Sequence, residues 1–175
     1  MARMIIDAAT SLDGYWEDTR GRNVLSLRDL DGGGLSGCLS DVCGAVVMSR
    51  RSFETSRDTG WITEAYAAQA PVFVVTDAGP SAGEGFTFME SYARAFEAAR
   101  SAAGAQAVLV VGEAGALKAA MRAGEANEIW LRLMARTLGD GTALFDDDIP
   151  VGDYFVSELE TTPDAVHMHL ERRLS

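Results

Sequence analysis

The segment Ala107-Val-Leu-Val-Val-Gly-Glu-Ala-Gly-Ala-Leu117 limits the possible folds more than any other stretch of the chain. A short Val-rich run stops at Gly112, and Gly115 opens a stretch in which Leu117, Ala120 and Met121 recur at helical spacing until Gly124. Strand, glycine turn and helix follow one another with almost no connecting chain. The first backbone N–H groups of such a helix are unpaired, and with the helix dipole they suit an anion such as a pyrophosphate. A turn of this kind also serves as turn chemistry alone, so its meaning depends on what the rest of the chain brings to it.

The other elements repeat the pattern. Arg3-Met-Ile-Ile-Asp-Ala-Ala9 reads as a buried strand that runs into Thr10-Ser-Leu-Asp-Gly-Tyr-Trp16, a turn at Asp13-Gly14 and a polar loop through Gly34. Long loops in compact domains usually serve a site, and Asp13 beside Tyr15 and Trp16 suits a flat polar ligand; the bland reading has Trp16 plugging the edge of the core. Leu35, Cys38, Leu39 and Val42 form one face of an amphipathic helix, with Asp41 on its solvated side. Ala45-Val-Val-Met48 is a second buried strand, and Ser49-Arg-Arg-Ser-Phe-Glu-Thr55 begins the following helix. Arginine at such a junction forms paired hydrogen bonds with phosphate, and Ser52 adds a donor.

After a helix expected over 63–69, Pro71-Val-Phe-Val-Val-Thr-Asp77 is a third strand, and Phe86-Thr-Phe88 a short fourth. If these strands are parallel, Thr76 and Asp77 share one rim with Arg50 and Gly112, where open α/β sheets bind ligands. Tyr92, Ala95, Phe96 and Ala99 make a helical stripe, and Glu128–Met134 alternates as a strand. Thr137–Thr142 turns, and Ala143–Phe145 resumes as strand. Asp146-Asp-Asp148 lacks the spacing of a calcium loop and reads as a solvated turn.

Tyr154–Glu160 and Ala165–Arg173 read as an antiparallel hairpin. Along the second of these strands Val166, Met168 and Leu170 should face the core, leaving His167 and His169 at the surface or at an interface. The sum is one α/β domain over 1–175, with a mostly parallel, helix-flanked sheet and a reversed ending.

Composition narrows the function. The chain's 175 residues suffice for one full core, and a net charge of −11 argues against nucleic acid or anionic membrane as partners. Against that acidic background the pair Arg50-Arg51, with Arg57 farther on, stands out as a basic cluster. Cys38 and Cys43 would point to different faces of one helix, so no disulfide is expected, and no Cys/His constellation has metal-ligand spacing. No apolar run approaches the length of a membrane span and the first residues lack a signal-peptide pattern, so a cytoplasmic location is expected.

Taken in order, Ser11-Leu-Asp-Gly14, Val46-Val-Met-Ser-Arg-Arg-Ser-Phe-Glu54, Val72-Phe-Val-Val-Thr76, Val110-Val-Gly-Glu-Ala-Gly-Ala-Leu117, Asn127-Glu-Ile129 and Leu138-Gly-Asp-Gly-Thr-Ala-Leu-Phe145 resemble the dihydrofolate-reductase-like family. The likeness is nearest the branch that includes the reductase domain of riboflavin biosynthesis and its small stand-alone relatives. The resemblance implies the three-layer fold of that family, NADPH as cofactor, a homodimer, and hydride transfer to a C=N or C=O group of a small, pterin- or pyrimidine-like heterocycle. It assigns Ser49, Arg50, Arg51, Ser52 and Thr76 to the adenosine and phosphate end, and Gly112, Glu113, Ala114 and Gly115 to the pyrophosphate turn. Asp13 becomes the catalytic candidate, with Tyr15 and Trp16 beside the substrate. The chain departs from the family pattern at Ser49 and Glu113, where glycine is usual, and at Arg136, where proline is usual. Asp77 next to Thr76 suits a ribose hydroxyl and so NADH. These departures leave open a non-catalytic ligand-binding or oligomer-forming protein with weakened nucleotide binding.

Overall fold

The computed structural model describes residues 2–25, 39–56, 70–77, 85–147, 149 and 152–173. The helix expected over 63–69, Cys38 and Asp148 lie outside this set. The strands are β1 Met4–Ser11, β2 Tyr15–Glu17, β3 Cys43–Ser49, β4 Val72–Val75, β5 Phe86–Met89, β6 Ala107–Val110, β7 Glu128–Met134, β8 Thr142–Ala143, β9 Tyr154–Thr161 and β10 Ala165–Arg172. The helices are α1 Leu39–Val42, α2 Arg50–Ser56, α3 Tyr92–Ala103 and α4 Ala114–Arg122.

The main sheet runs β5-β4-β3-β6-β1-β7-β10-β9. From β5 to β7 every neighbouring pair is parallel, and β10 and β9 add the antiparallel ending. Parallel strands buried on both faces must be apolar on both, and β3 accordingly reads Cys-Gly-Ala-Val-Val-Met-Ser with every residue buried. One face, carrying Met4, Ile6, Val47, Val108 and Val110, packs on Ala95, Phe96 and Ala99 of α3 and Leu117 and Ala120 of α4. The other, carrying Ile5, Val46, Met48, Val74 and Leu109, packs on Leu39 and Val42 of α1 and Phe53 of α2. Helices on both faces of the sheet make three layers.

Local chemistry sets the ends of these elements. Ser91 caps α3 by accepting from the Arg94 N–H, and Gly104 ends it at φ 60°. Ser49 closes β3 and caps α2, its hydroxyl accepting from the Ser52 N–H at 3.1 Å. Part of the segment expected as a polar loop, Tyr15–Glu17, is a strand instead, paired antiparallel with β8. The turn before β8 can lie against β2 because Gly141 has no side chain: a Cβ there would stand 1.9 Å from the Glu17 carbonyl oxygen.

No helix among the described residues is long and apolar enough to cross a membrane. Asp146 pairs with Lys118, and Cys43, expected on a helix, opens β3 and is buried, its thiol donating to the Ala45 carbonyl oxygen.

Asn127 ties the start of β7 to that of β1. Its side-chain oxygen accepts from the Met4 N–H at 2.7 Å, and its own N–H donates to the Met4 carbonyl at 3.0 Å. Asn127→Ala strands the first of these donors, so the variant should lose about 1–2 kcal/mol in urea denaturation. An unchanged midpoint would show that the clamp contributes nothing.

Candidate active site

The chain leaves β3 toward β4 on one side and leaves β6 toward β7 on the other, although β3 and β6 are neighbours. Divergence of adjacent parallel strands opens a crevice at their carboxyl ends, the usual ligand site of such sheets. Val47 pairs with Val110, which sets Ser49 and Gly112 level across that crevice. A chain of hydrogen bonds spans it: Ser49 Oγ donates to Ser52 Oγ at 3.2 Å, and Ser52 Oγ accepts from the Glu113 N–H at 2.9 Å. Gly112 is required twice over, since its φ is +94° and a Cβ there would stand 2.2 Å from Ser52 Oγ.

On the β4 side of the crevice, Arg50 Nη1 donates to Thr76 Oγ1 at 3.3 Å, while Nε pairs with Glu54 at 2.7 Å. Two of the residues that the resemblance assigns to the adenosine and phosphate end, Arg50 and Thr76, are thus in contact. Asp77 follows at the exposed strand end.

Arg51 points the other way. Its guanidinium forks onto Glu17 at 3.0 and 2.7 Å, and its Nη1 lies 3.5 Å from a Glu113 carboxylate oxygen. Hydrogen bonding to Glu17 raises the Arg51 pKa further above its ordinary value, against the opposing effect of burial. Thr142 Oγ1 also donates to Glu17, at 3.0 Å. Tyr92, at the start of α3, completes the wall. Burial, with the charge of Glu113 second, pushes its phenol up to about 12. Sequence reasoning assigned neither Glu17, Tyr92 nor Thr142 to this place. A glutamate in β2 and a tyrosine in a core-facing helical stripe carry no local signal for it; only the pairing of β2 with β8 and the seating of α3 bring them in.

At the end of β1, the Asp13 carboxylate accepts from Ser11 Oγ and from the backbone N–H groups of Leu138 and Gly139, the last at 2.7 Å. The hydrogen bond from Ser11 contributes most to lowering its pKa to about 2, and desolvation opposes it. The group is an anion that braces the Leu138–Gly139 turn against β1. Tyr15 is half-buried beside it, whereas Trp16 is 6% exposed and packs within the core. Asp13, Arg50–Ser52, Thr76 and Gly112–Gly115 all fall at the carboxyl ends of neighbouring strands, as a parallel sheet requires.

The histidines depart from expectation. His167 and His169 are 5% and 8% exposed and lie inside the protein. β10 is an inner strand, with β7 on one side and β9 on the other, and its histidine face meets a polar cluster. In that cluster Arg132 pairs with Asp7 at 3.0 Å, and His169 Nε2 lies 2.8 Å from Glu128 while its ring stacks on Trp130 at 4.3 Å. The opposite face, Met168 and Leu170, packs on the hydrophobic core as expected. The signal in the sequence was the alternation Glu128, Trp130, Arg132, which puts charges on one side of a strand buried on both.

Burial first and Arg132 second lower the His167 pKa from 6.5, against Glu160 and Asp7, which raise it. A depressed folded-state pKa means that the unfolded chain takes up the proton first. Stability is therefore fully present above pH 6.5 and falls as the pH drops toward the folded value. His167→Asn should flatten this slope in denaturation titrations between about pH 7 and 5; an unaltered slope would remove His167 as its source.

No sequence-family profile and no curated protein sequence matches the chain. Solved structures do. A Shewanella sp. PV-4 protein provisionally named as a riboflavin biosynthesis protein superposes with a TM-score of 0.77 at 22% identity, over 99% of this chain and 100% of its own. The diaminohydroxyphosphoribosylaminopyrimidine deaminase/5-amino-6-(5-phosphoribosylamino)uracil reductase of Thermotoga maritima gives 0.67 at 13% identity, over 98% of this chain and 57% of its own. Dihydrofolate reductase from Enterococcus faecalis, complexed with NADP(H) and RAB-propyl, gives 0.66 at 15% identity, over 97% and 96%. At these identities the likeness establishes the fold.

Proposed function

Because the chain has the dihydrofolate-reductase-like fold, we propose that it is an NAD(P)H-dependent reductase acting on a C=N or C=O group of a small heterocycle of the pterin or pyrimidine type. The observation that carries the reading is the crevice itself. Arg50 touches Thr76 on one side of it, and on the other Gly112 and Ser52 meet so closely that only glycine fits. These are the groups a dinucleotide needs: a guanidinium and a hydroxyl for the adenosine phosphate end, and a side-chain-free turn before a helix for the pyrophosphate. The residues fit the cofactor at the Arg50–Thr76 end as they stand, and at the turn once the Glu113 side chain moves aside. The dihydrofolate reductase and deaminase/reductase neighbours are consistent with this class of chemistry.

A bound nicotinamide supplies the hydride. The chain's part is then placement and electrostatics. Arg50 and Thr76 hold the adenosine end and Arg51 and Ser52 the pyrophosphate, with Ser49 as the cap that fixes Ser52. Asp13 acts as a fixed anion: by ordering the Leu138–Gly139 turn it shapes the substrate end, where Tyr15 offers a hydroxyl and Trp16 a rigid apolar base. A carboxylate with a pKa of about 2 does not deliver protons at neutral pH, so the proton comes from water or from the Tyr15 hydroxyl. The edge strand β9 exposes Phe155, Val156 and Leu159, and its outer backbone edge, which pairs with no strand among the described residues, suits a second copy in a homodimer. Monomer mass in sedimentation equilibrium would contradict that assembly.

The second reading, a non-catalytic protein with weakened nucleotide binding, is favoured by one observation, the carboxylate of Glu113 beside Arg51. Thermal denaturation separates the two. NADPH or NADH at 100 times its dissociation constant should stabilise the protein by about 2.7 kcal/mol, and no shift with either would remove the reductase reading. Arg50→Ala should weaken NADPH by about tenfold or more and NADH far less, since a charge-assisted contact to the 2′-phosphate is lost only with the former. Equal weakening of both would reject that role for Arg50.

A further inference from the structure

The position of the Glu113 side chain bears on how the proposed nucleotide site works. Glu113 is the residue before α4, with extended backbone at φ −75° and ψ 160°, and its carboxylate makes no capping hydrogen bond to the helix it precedes. The backbone N–H is already given to Ser52 Oγ. The side chain folds forward over the first turn of α4. One carboxylate oxygen lies 2.9 Å from where a Cβ of Gly115 would stand, and the other 3.5 Å from Arg51 Nη1. Tyr92 Oη is 4.0 Å from that same Gly115 point, on the α3 side. A negative group therefore lies across the turn Gly112–Gly115, between the helix start, Arg51 and Tyr92.

We infer that Glu113 is a built-in competitor for the phosphate cradle, which sets the affinity of the site for any dinucleotide by pairing with Arg51 and lying over the α4 N-terminus until a pyrophosphate displaces it. The inference rests on the reading of this crevice as a nucleotide site. Three features converge on it. The helix end and the guanidinium are the two positive features of this part of the crevice, and the same carboxylate lies against both. Arg51 is shared between two carboxylates, Glu17 in a two-pronged pair and Glu113 by one edge. The Glu113 contact is the longer and single one, so it is the partner that can leave while Glu17 keeps Arg51 in place. Gly115 leaves room for the folded side chain: any larger residue there would meet the Glu113 carboxylate at under 3 Å.

A pyrophosphate entering the crevice would replace one anion by another at Arg51. The exchange is close to neutral in charge at the guanidinium, but it requires Glu113 to swing into solvent and leaves its charge nearby. The wild-type protein should therefore bind both NADPH and NADH weakly, because both carry the same pyrophosphate. This separates Glu113 from Arg50, whose effect should distinguish the two nucleotides.

The test is isothermal titration of the full chain with NADPH and with NADH, comparing wild type, Glu113→Gln, Glu113→Ala and the double variant Glu113→Gln/Arg51→Ala. Far-UV circular dichroism and thermal unfolding confirm that each is folded. Removing a like charge a few ångströms from the incoming phosphates should tighten both nucleotides by about tenfold or more. The two single variants should gain alike, and the gain should be lost when Arg51 is also removed. If wild type and Glu113→Gln bind with equal affinity, the competitor role is overturned while the nucleotide site stands. If Glu113→Gln binds more weakly, Glu113 is a ligand-holding group and the inference is again overturned. If none of the proteins binds either nucleotide at millimolar concentration, the reading of the crevice as a nucleotide site falls, and the inference with it.

Discussion

The hydrogen bond from the Glu113 N–H to Ser52 Oγ, made possible by the missing side chain at Gly112, fastens together the two strand ends on which the candidate site depends. β3 and β6 are paired neighbours whose following helices pack on opposite faces of the sheet, and the tie carries their pairing beyond the last ladder bond, Val111 N–H to the Val47 carbonyl, to the turn itself. The tie is relayed back to β3 through Ser49, which donates to Ser52 and caps α2 in the same stroke. Arg50 and Arg51 are the first two residues of that capped helix. The cap therefore aims them to opposite ends of the crevice, one to Thr76 and the other to Glu17 and Glu113.

Most of the fold was legible from periodicity because the central strands are apolar on both faces and glycines or polar caps end them. Val72–Val75 and Ala107–Val110 come directly from that rule, whereas Glu128–Met134 and the C-terminal hairpin were legible from alternation. β2 was not legible. Three residues with one acid and two aromatics show no alternation, and their strand character comes wholly from pairing with β8 across 125 residues of chain, a contact that Gly141 permits. The histidines failed for a related reason. Alternation along β10 correctly separated two faces, but burial depends on what lies against each face, and although Glu128, Trp130 and Arg132 alternate on their own strand, no local pattern states that this strand pairs with β10 or that β9 covers its outer edge.

The candidate site was legible to the extent that a parallel sheet collects strand ends on one rim. Arg50, Ser52, Thr76 and the Gly112 turn meet there as that rule requires. Side-chain direction was beyond it. Trp16 turned into the core, Asp13 turned to brace a distant turn, and Glu113 turned over its own helix, each settled by partners far away in the chain. The same limit explains the absence of Glu17, Tyr92 and Thr142 from any sequence-based account of the crevice. An acidic chain has placed an arginine pair here and then offset Arg51 with two carboxylates, so the site balances attraction for phosphate against its own internal anion.

The central claim is that this crevice holds a nucleotide with Glu113 displaced. A crystal structure of the wild-type chain grown with saturating NADPH tests it most directly. The account predicts the pyrophosphate over Gly112–Gly115, Arg51 turned to it, and the Glu113 side chain swung clear of Gly115. A nucleotide bound elsewhere, or a pyrophosphate at the turn with Glu113 still folded over Gly115, would contradict it.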